Sequence, residues 1–175
     1  MNPTWLTAEI DAHPDLWNRH AWRTGFNDSP FAGTSDIWCR YNQPDRIGPH
    51  FNDEHVPVWY PAASVLPSVK PLCHAMMAHF QGDVLGGVLI TRVPGGVNIG
   101  PHVDTGWHVD YYDKFYLSLR SPKGAAFCFD DARLEPNVGE IWRIDNRQRH
   151  WVENPTNEDR MTLIVCIRTE MFGRL

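Results

Sequence analysis

The sequence predicts a mainly-β chain, an antiparallel double-stranded β-helix (jelly roll) flanked by helices from its N-terminal third. Three observations carry this expectation. From residue 83 onward the chain breaks into short apolar or alternating runs, the texture of strands with one or both faces packed. Clusters of turn-forming residues separate those runs. Before residue 83 the apolar residues recur instead at near-helical spacing. With 175 residues and 42% apolar content, the chain is long enough for one well-buried core and short for two. Residues 1–175 are therefore expected to form a single domain, with 1–82 a helical and loop cover holding one early strand and 83–168 the β core.

At the N-terminus, Trp5, Leu6, Ile10, Leu16 and Trp17 follow a helical period that Pro14 interrupts, so a broken helix is expected there, covering a sheet. Residues 34–42 read as a strand, followed by a loop punctuated by Pro and Gly that runs to Pro61. Ser68 stands where a helix cap belongs. Val69, Leu72, Cys73, Met76 and Phe80 form one stripe behind it, and Pro71 falls in the tolerant first turn, predicting a helix over 68–80 that carries His74 and His79. Strands are expected at 84–93, 114–119, 125–129, 140–144, 150–153 and 161–168. Pro94-Gly95-Gly96, Ser121-Pro122-Lys123-Gly124, Asn137-Val138-Gly139 and Asn154-Pro155-Thr156-Asn157 supply the turns between them. No internal repeat is present, which argues against a propeller or solenoid.

Composition removes several function classes. The formal net charge is −5 and the basic residues are scattered, so no phosphate-binding track for nucleic acid is formed. No run approaches the roughly 20 apolar residues of a membrane span. The first residues, Met1-Asn2-Pro3-Thr4-Trp5, lack a basic start followed by an apolar stretch, so a soluble, unexported, cytoplasmic protein is expected. Cys39, Cys73, Cys128 and Cys166 lie in apolar or alternating segments without paired spacing and read as reduced core residues. Neither a Gly-x-Ser-x-Gly elbow nor a phosphate-binding loop occurs, which leaves serine-hydrolase and nucleotide readings without support.

The sharpest feature is Gly100-Pro101-His102-Val103-Asp104-Thr105-Gly106. Side chains at i and i+2 of an extended chain share a face, so His102 and Asp104 are placed to grip one metal ion. Alone, such a pair is common, and a capped surface turn explains it as well. His150, which opens a later strand, is the candidate third ligand, because a closed double-layered sheet can return that strand beside the first pair. Two imidazoles and one carboxylate on one face suit non-heme Fe(II), whose three open positions accept a bidentate 2-oxo acid together with dioxygen. Arg160 begins an alternating strand in which Arg160, Thr162 and Ile164 face one way and Met161, Leu163, Val165 and Ile167 the other. A guanidinium at the start of a buried strand wants a carboxylate, and the distal carboxylate of 2-oxoglutarate fits its fork. The competing reading of Arg160 is a rim salt bridge to Glu158 or Asp159.

Taken together, Val93-Pro94-Gly95-Gly96 through His102, the run Lys114-Phe115-Tyr116-Leu117-Ser118-Leu119, the segment Gly139-Glu140-Ile141-Trp142, and His150 through Asn154 to Arg160 resemble the aspartyl/asparaginyl β-hydroxylase family of Fe(II)/2-oxoglutarate oxygenases, over residues 83–168. The resemblance implies a cupin-like double-stranded β-helix. It also implies that His102 and His150 bind iron, that Arg160 anchors 2-oxoglutarate, and that Lys114 and Tyr116 stand where further co-substrate contacts lie, commonly Arg and His in the family. Ser118 and Thr162 would join them on the inner face, with Phe115, Leu117 and Leu119 packing outward. The best-known member lacks a carboxylate two positions after its first histidine. Asp104 is present here, as in other small members, some of which act on free amino acids such as proline. That intact carboxylate also argues against halogenation, which uses a small residue in its place. The implied reaction is hydroxylation of an amino acid side chain, free or in a peptide, with O2 consumed and succinate and CO2 released.

Further candidates surround this set. Trp107, His108 and Asp110 are expected on a loop at the pocket lip, where substrate contacts arise; His108 could also replace Asp104. Arg40, on the early strand, is a weaker substrate candidate. His50 and His55 fit neither a strand nor a helix face and are read as loop residues, and His74 and His79, five apart, miss the helical zinc spacing. A zinc hydrolase with the same ligands and a noncatalytic cupin-like binding protein remain as alternatives.

Overall fold

In the computed structural model, which describes residues 1–26, 28–47, 51 and 53–169, the alternating segments resolve into two facing antiparallel sheets. The chain runs α1 (Thr4–Ala12), a 3-10 turn (Pro14–Leu16), β1 (Ser35–Tyr41), β2 (Val58–Trp59), α2 (Ala62–Val65), α3 (Val69–His79), β3 (Gly82–Val93), β4 (Ile99–His102), α4 (Trp107–Tyr111), β5 (Asp113–Arg120), β6 (Ala126–Phe129), β7 (Arg133–Leu134), β8 (Ile141–Ile144), β9 (His150–Glu153) and β10 (Arg160–Thr169). The larger sheet has the order β2-β1-β3-β10-β5-β8 and the smaller β4-β9-β6-β7. This interleaving of strands distant in sequence is the jelly roll that the sequence predicts.

The two faces of the larger sheet follow from the two-residue period of a strand. Ile37, Ile90, Leu163 and Leu117 stand in register across β1, β3, β10 and β5. All four are fully buried in a cluster shared with Leu6 and Ile10 of α1 and with Val69, Cys73 and Met76 of α3. Each such side chain contributes about 1.5 to 3 kcal/mol by leaving water. One residue along, Trp38, Leu89, Ile164 and Tyr116 form the neighbouring row. These face the smaller sheet. A polar row, Asp36, Thr91, Thr162 and Ser118, lies two residues further and on the same face.

The structure departs from expectation where local signals were weak. Pro14 breaks the first helix as predicted, but β1 extends the core sheet rather than covering it, and β2 adds a second early strand. Ile99–His102 is a strand despite Gly100-Pro101 at its middle, because it pairs with β9. Ser68 occupies the cap position of α3, yet its hydroxyl and its backbone N–H both donate to the Glu9 carboxylate (2.6 and 3.0 Å), tying α3 to α1. All four cysteines are buried and free. Among the described residues, no helix is long and apolar enough to cross a membrane.

Asn154 ties together the strand ends that frame the site. Wholly buried, it donates from Nδ2 to the carbonyls of Val93, Pro94 and Glu158 (3.0, 3.1 and 2.8 Å) and accepts at Oδ1 from Thr156. Gly95 lets this turn close, since a Cβ there would sit 2.6 Å from the Asn157 backbone. Asn154→Ala removes the amide donor shared by the three carbonyls, of which those of Pro94 and Glu158 keep the Val97 N–H and the Thr156 hydroxyl, and is expected to lower stability by about 1 to 3 kcal/mol, measured as a shift in urea unfolding. A change below about 0.5 kcal/mol would contradict the role assigned to this residue.

Candidate metal centre

In the smaller sheet β4 and β9 run side by side with His102 directly opposite His150. Asp104 follows the end of β4, and its N–H donates to the Asn146 carbonyl at 3.0 Å, which turns the side chain back toward the pair. The ligand atoms of His102, Asp104 and His150 all lie within 4.8 Å of one another.

Each imidazole is set in one tautomer by its own strand. Nδ1 of His102 is 2.7 Å from the Gly100 carbonyl oxygen, and Nδ1 of His150 is 2.8 Å from that of Gln148. A carbonyl only accepts, so Nδ1 carries a proton in both rings and Nε2 is the nitrogen left to face a metal. Phe127 stacks on His150 (5.2 Å between centroids, 13°) and Phe31 meets His102 edge-on (4.8 Å, 73°), fixing the ring planes. Oδ1 of Asp104 lies 3.4 Å from His102 Nε2, while Oδ2 accepts from Lys114 Nζ at 2.6 Å and from the Asn146 amide. One carboxylate oxygen is thus held away and the other presented. Burial alone would raise the Asp104 pKa, but His102, the Lys114 ammonium and the Asn146 amide together hold it well below the usual carboxylate range. Two imidazole nitrogens and a carboxylate oxygen bordering one cavity are the donor set of a facial-triad ferrous site.

The cavity, about 190 Å³, lies between the sheets. Trp38, Leu89 and Ile164 form its apolar wall, and Arg160 and Thr162 its far end. Arg160 is 6% exposed and has no ion pair among the described residues; Asp159, its sequence neighbour, instead lies 3.8 Å from Arg92. Its Nε and the Thr162 hydroxyl are buried without hydrogen-bond partners. Burial lowers the Arg160 pKa to about 10, so the group remains a cation at neutral pH. Tyr116, whose phenol burial pushes up to about 12, and Ser118 border a small side pocket with Arg160 and Thr162. A 2-oxo dicarboxylate fits this end chemically, because the buried cation and the unpartnered hydroxyl both lack an acceptor.

The remaining predicted residues divide. Residues 107–111 form the short helix α4 rather than an open loop. Its turn sends His108 into the cavity wall and Asp110 out to solvent, and leaves Trp107 stacked on Tyr111 (4.8 Å), outside the cavity lining. His108 is separate from the metal triad. The Gly87 N–H donates to its Nε2 (3.3 Å), and a Cβ at Gly87 would press on His108 at 3.2 Å. Arg40 also lies away from the cavity. The bulge between Trp38 and Arg40 breaks the alternation of β1, and the guanidinium donates to the carbonyls of Gly86 and Leu85 and sits 5.1 Å from the Trp59 ring. Lys114 and Tyr116 do line the cavity, with Lys114 committed to Asp104. His55 is a loop residue as expected but is buried, stacked on His108 at 5.7 Å and 12°. His50 lies outside the described residues, and His74 and His79 sit on α3, away from the cavity lining. Two contributors carry no signal in the sequence. Asn146 belongs to no motif, and Arg23 reaches the cavity from an aperiodic N-terminal turn.

A family model described as Aspartyl/Asparaginyl beta-hydroxylase matches residues 58–169. Among curated proteins, none matches the sequence. A solved oxidoreductase of the 2OG-Fe(II) oxygenase family from Burkholderia pseudomallei superposes with a TM-score of 0.63 at 15% identity, over 93% of this chain and 78% of that one. The 2OG complex of a viral collagen prolyl hydroxylase from Paramecium Bursaria Chlorella virus-1 gives 0.55 at 10% identity, over 97% and 92%. At these identities the likenesses establish the fold.

His55, His108 and His150 all have lowered pKa values, with burial the largest cause in each. They bind protons less readily in the folded chain than in the unfolded one, so unfolding takes up protons once the pH is below about 6.5. Stability of the chelator-treated protein is therefore expected to hold above that pH and to fall progressively beneath it. The urea midpoint measured from pH 8 to 5 checks this, with His108→Gln showing a shallower fall; a flat profile would contradict the lowered pKa values.

Proposed function

Because the chain belongs to the aspartyl/asparaginyl β-hydroxylase family, and is thus an oxidoreductase of hydroxylase type, we propose that it is an Fe(II)/2-oxoglutarate-dependent dioxygenase. Its substrate in this reading is an amino acid side chain, free or in a peptide, and residues 1–175 act as one domain in the cytoplasm. The observation that carries the reading is the charged, unpaired Arg160 guanidinium buried in the same cavity as the triad.

When bound, ferrous iron with 2-oxoglutarate and O2 supplies oxidative decarboxylation coupled to C–H hydroxylation, with succinate and CO2 as co-products. His102 and His150 offer Nε2 to the metal and Asp104 offers Oδ1. Lys114 and Asn146 hold the other carboxylate oxygen, which leaves Oδ1 as the oxygen that would meet the metal. Arg160 forks to the distal carboxylate of the co-substrate, with the Thr162 hydroxyl and the protonated Tyr116 phenol as further donors. Trp38, Leu89 and Ile164 exclude water from the reacting side, and His108, its Nε2 held by the Gly87 N–H, stands in the cavity wall.

A zinc hydrolase built on the same ligands has no need of Arg160 and leaves its charge buried and uncompensated. A noncatalytic binding protein turns nothing over. Oxygen-dependent conversion of 2-oxoglutarate to succinate with added Fe(II) separates the three. Asp104→Ala is expected to abolish it, and Arg160→Met to raise the 2-oxoglutarate requirement at least a hundredfold, since breaking a buried charge pair on one side costs about 3 to 5 kcal/mol. Metal-dependent hydrolysis with zinc and no succinate would refute the proposal.

A further inference from the structure

Arg23 brings a second guanidinium to the cavity, from a segment outside the matched family region. Its Nε donates to Asp36 Oδ2 at 2.7 Å, and one Nη2 group serves both Asp36 Oδ1 (2.9 Å) and the Thr91 hydroxyl (2.6 Å). Asp36 is fully buried, and Thr91 donates back to its Oδ1 at 3.0 Å, so one edge of the guanidinium is rigidly held. The opposite nitrogen, Nη1, has no hydrogen bond among the described residues. The side chain remains 18% exposed and borders the cavity. Phe31 orients the group further. The guanidinium carbon lies 4.1 Å from the centroid of the Phe31 ring, whose edge meets the His102 imidazole at 4.8 Å. A single intervening ring therefore separates this cation from a metal ligand.

Charge in the cavity points to what Arg23 meets, given the oxygenase reading on which this step rests. Arg23 is matched by Asp36 and Lys114 by Asp104. The ferrous dication and Arg160 together carry three positive charges against the two negative charges of 2-oxoglutarate, so one net positive charge remains in a site of low dielectric. The substrate accordingly brings one negative charge, and Arg23, which lines the cavity, keeps in Nη1 a donor without a hydrogen bond among the described residues. Beside it, Trp38 and Leu89 offer an apolar surface.

We propose that Arg23 is the substrate's carboxylate receptor, so that the substrate is a small acid or a C-terminal residue whose carboxylate meets Nη1 while its apolar body lies against Trp38 and Leu89. Asp36 and Thr91 position the guanidinium.

The test is calorimetric binding to the anaerobic protein loaded with Fe(II) and 2-oxoglutarate. The probes are the free L-amino acids and C-terminally free tripeptides, each beside its primary amide, which also separates a free acid from a peptide end. At least one acid should bind tenfold or more tightly than its amide, with the preference falling below twofold in Arg23→Gln and partly retained in Arg23→Lys. Asp36→Asn disturbs the same buried network but leaves the cation in place, and should keep the preference. A panel in which no acid outbinds its amide overturns the proposal. So does equal loss of preference in Asp36→Asn and Arg23→Gln, or a loss of 2-oxoglutarate affinity in Arg23→Gln that matches the loss of preference. Binding is read independently of turnover, so absence of succinate formation counts against the oxygenase reading, and absence of acid preference counts against this one.

Discussion

The site depends on the pairing of β4 with β9, which sets two imidazoles opposite one another with their Nε2 atoms free. Each ring is oriented by the carbonyl two residues before it, so the extended backbone that makes the strand also selects the tautomer. A metal site of this kind needs no ligand-induced rearrangement of its histidines. The carboxylate is prepared in the same way, with one oxygen held by Lys114 and Asn146 and the other turned to the histidines. Fixing donors beforehand is what a binding centre requires, because side-chain ordering is then supplied by folding rather than by the metal.

The larger sheet serves two chemistries with one backbone. Its outer rows lock onto α1 and α3, and its inner rows present first an apolar strip and then a polar strip to the cavity. Arg160 and Thr162 stand on β10, which like β1, β3 and β5 has a paired neighbour on either side, and are buried like the core residues that alternate with them. Holding an unpaired cation there costs folding energy in the empty chain. In the proposed reading an anionic ligand would return that energy on binding and so be favoured over a neutral molecule of the same shape.

Much of this was legible in the sequence because strand period and turn chemistry are local. The alternation in 160–168 placed Arg160, Thr162 and Ile164 on the cavity face and Met161, Leu163, Val165 and Ile167 in the core, as found. His102 and Asp104 share a face by their spacing, and the return of β9 beside β4 brings His150 to them, so that their ligand atoms lie within 4.8 Å of one another. What escaped depended on tertiary return or on small breaks in period. A single bulge in β1 turned Arg40 away, one helical turn at 107–111 separated His108 from Asp110, and Asn146 and Arg23 reach the site from segments with no pattern of their own.

The central claim is that His102, Asp104 and His150 hold one ferrous ion with positions left for a chelating 2-oxo acid. Anaerobic titration of Fe(II) into the protein with 2-oxoglutarate, followed by the visible charge-transfer absorption of a ferrous 2-oxo acid chelate, tests it most directly. The account predicts a band that saturates at one equivalent per chain and is lost in His150→Ala. A band absent from the unmodified protein, or one that survives undiminished in that variant, would contradict it.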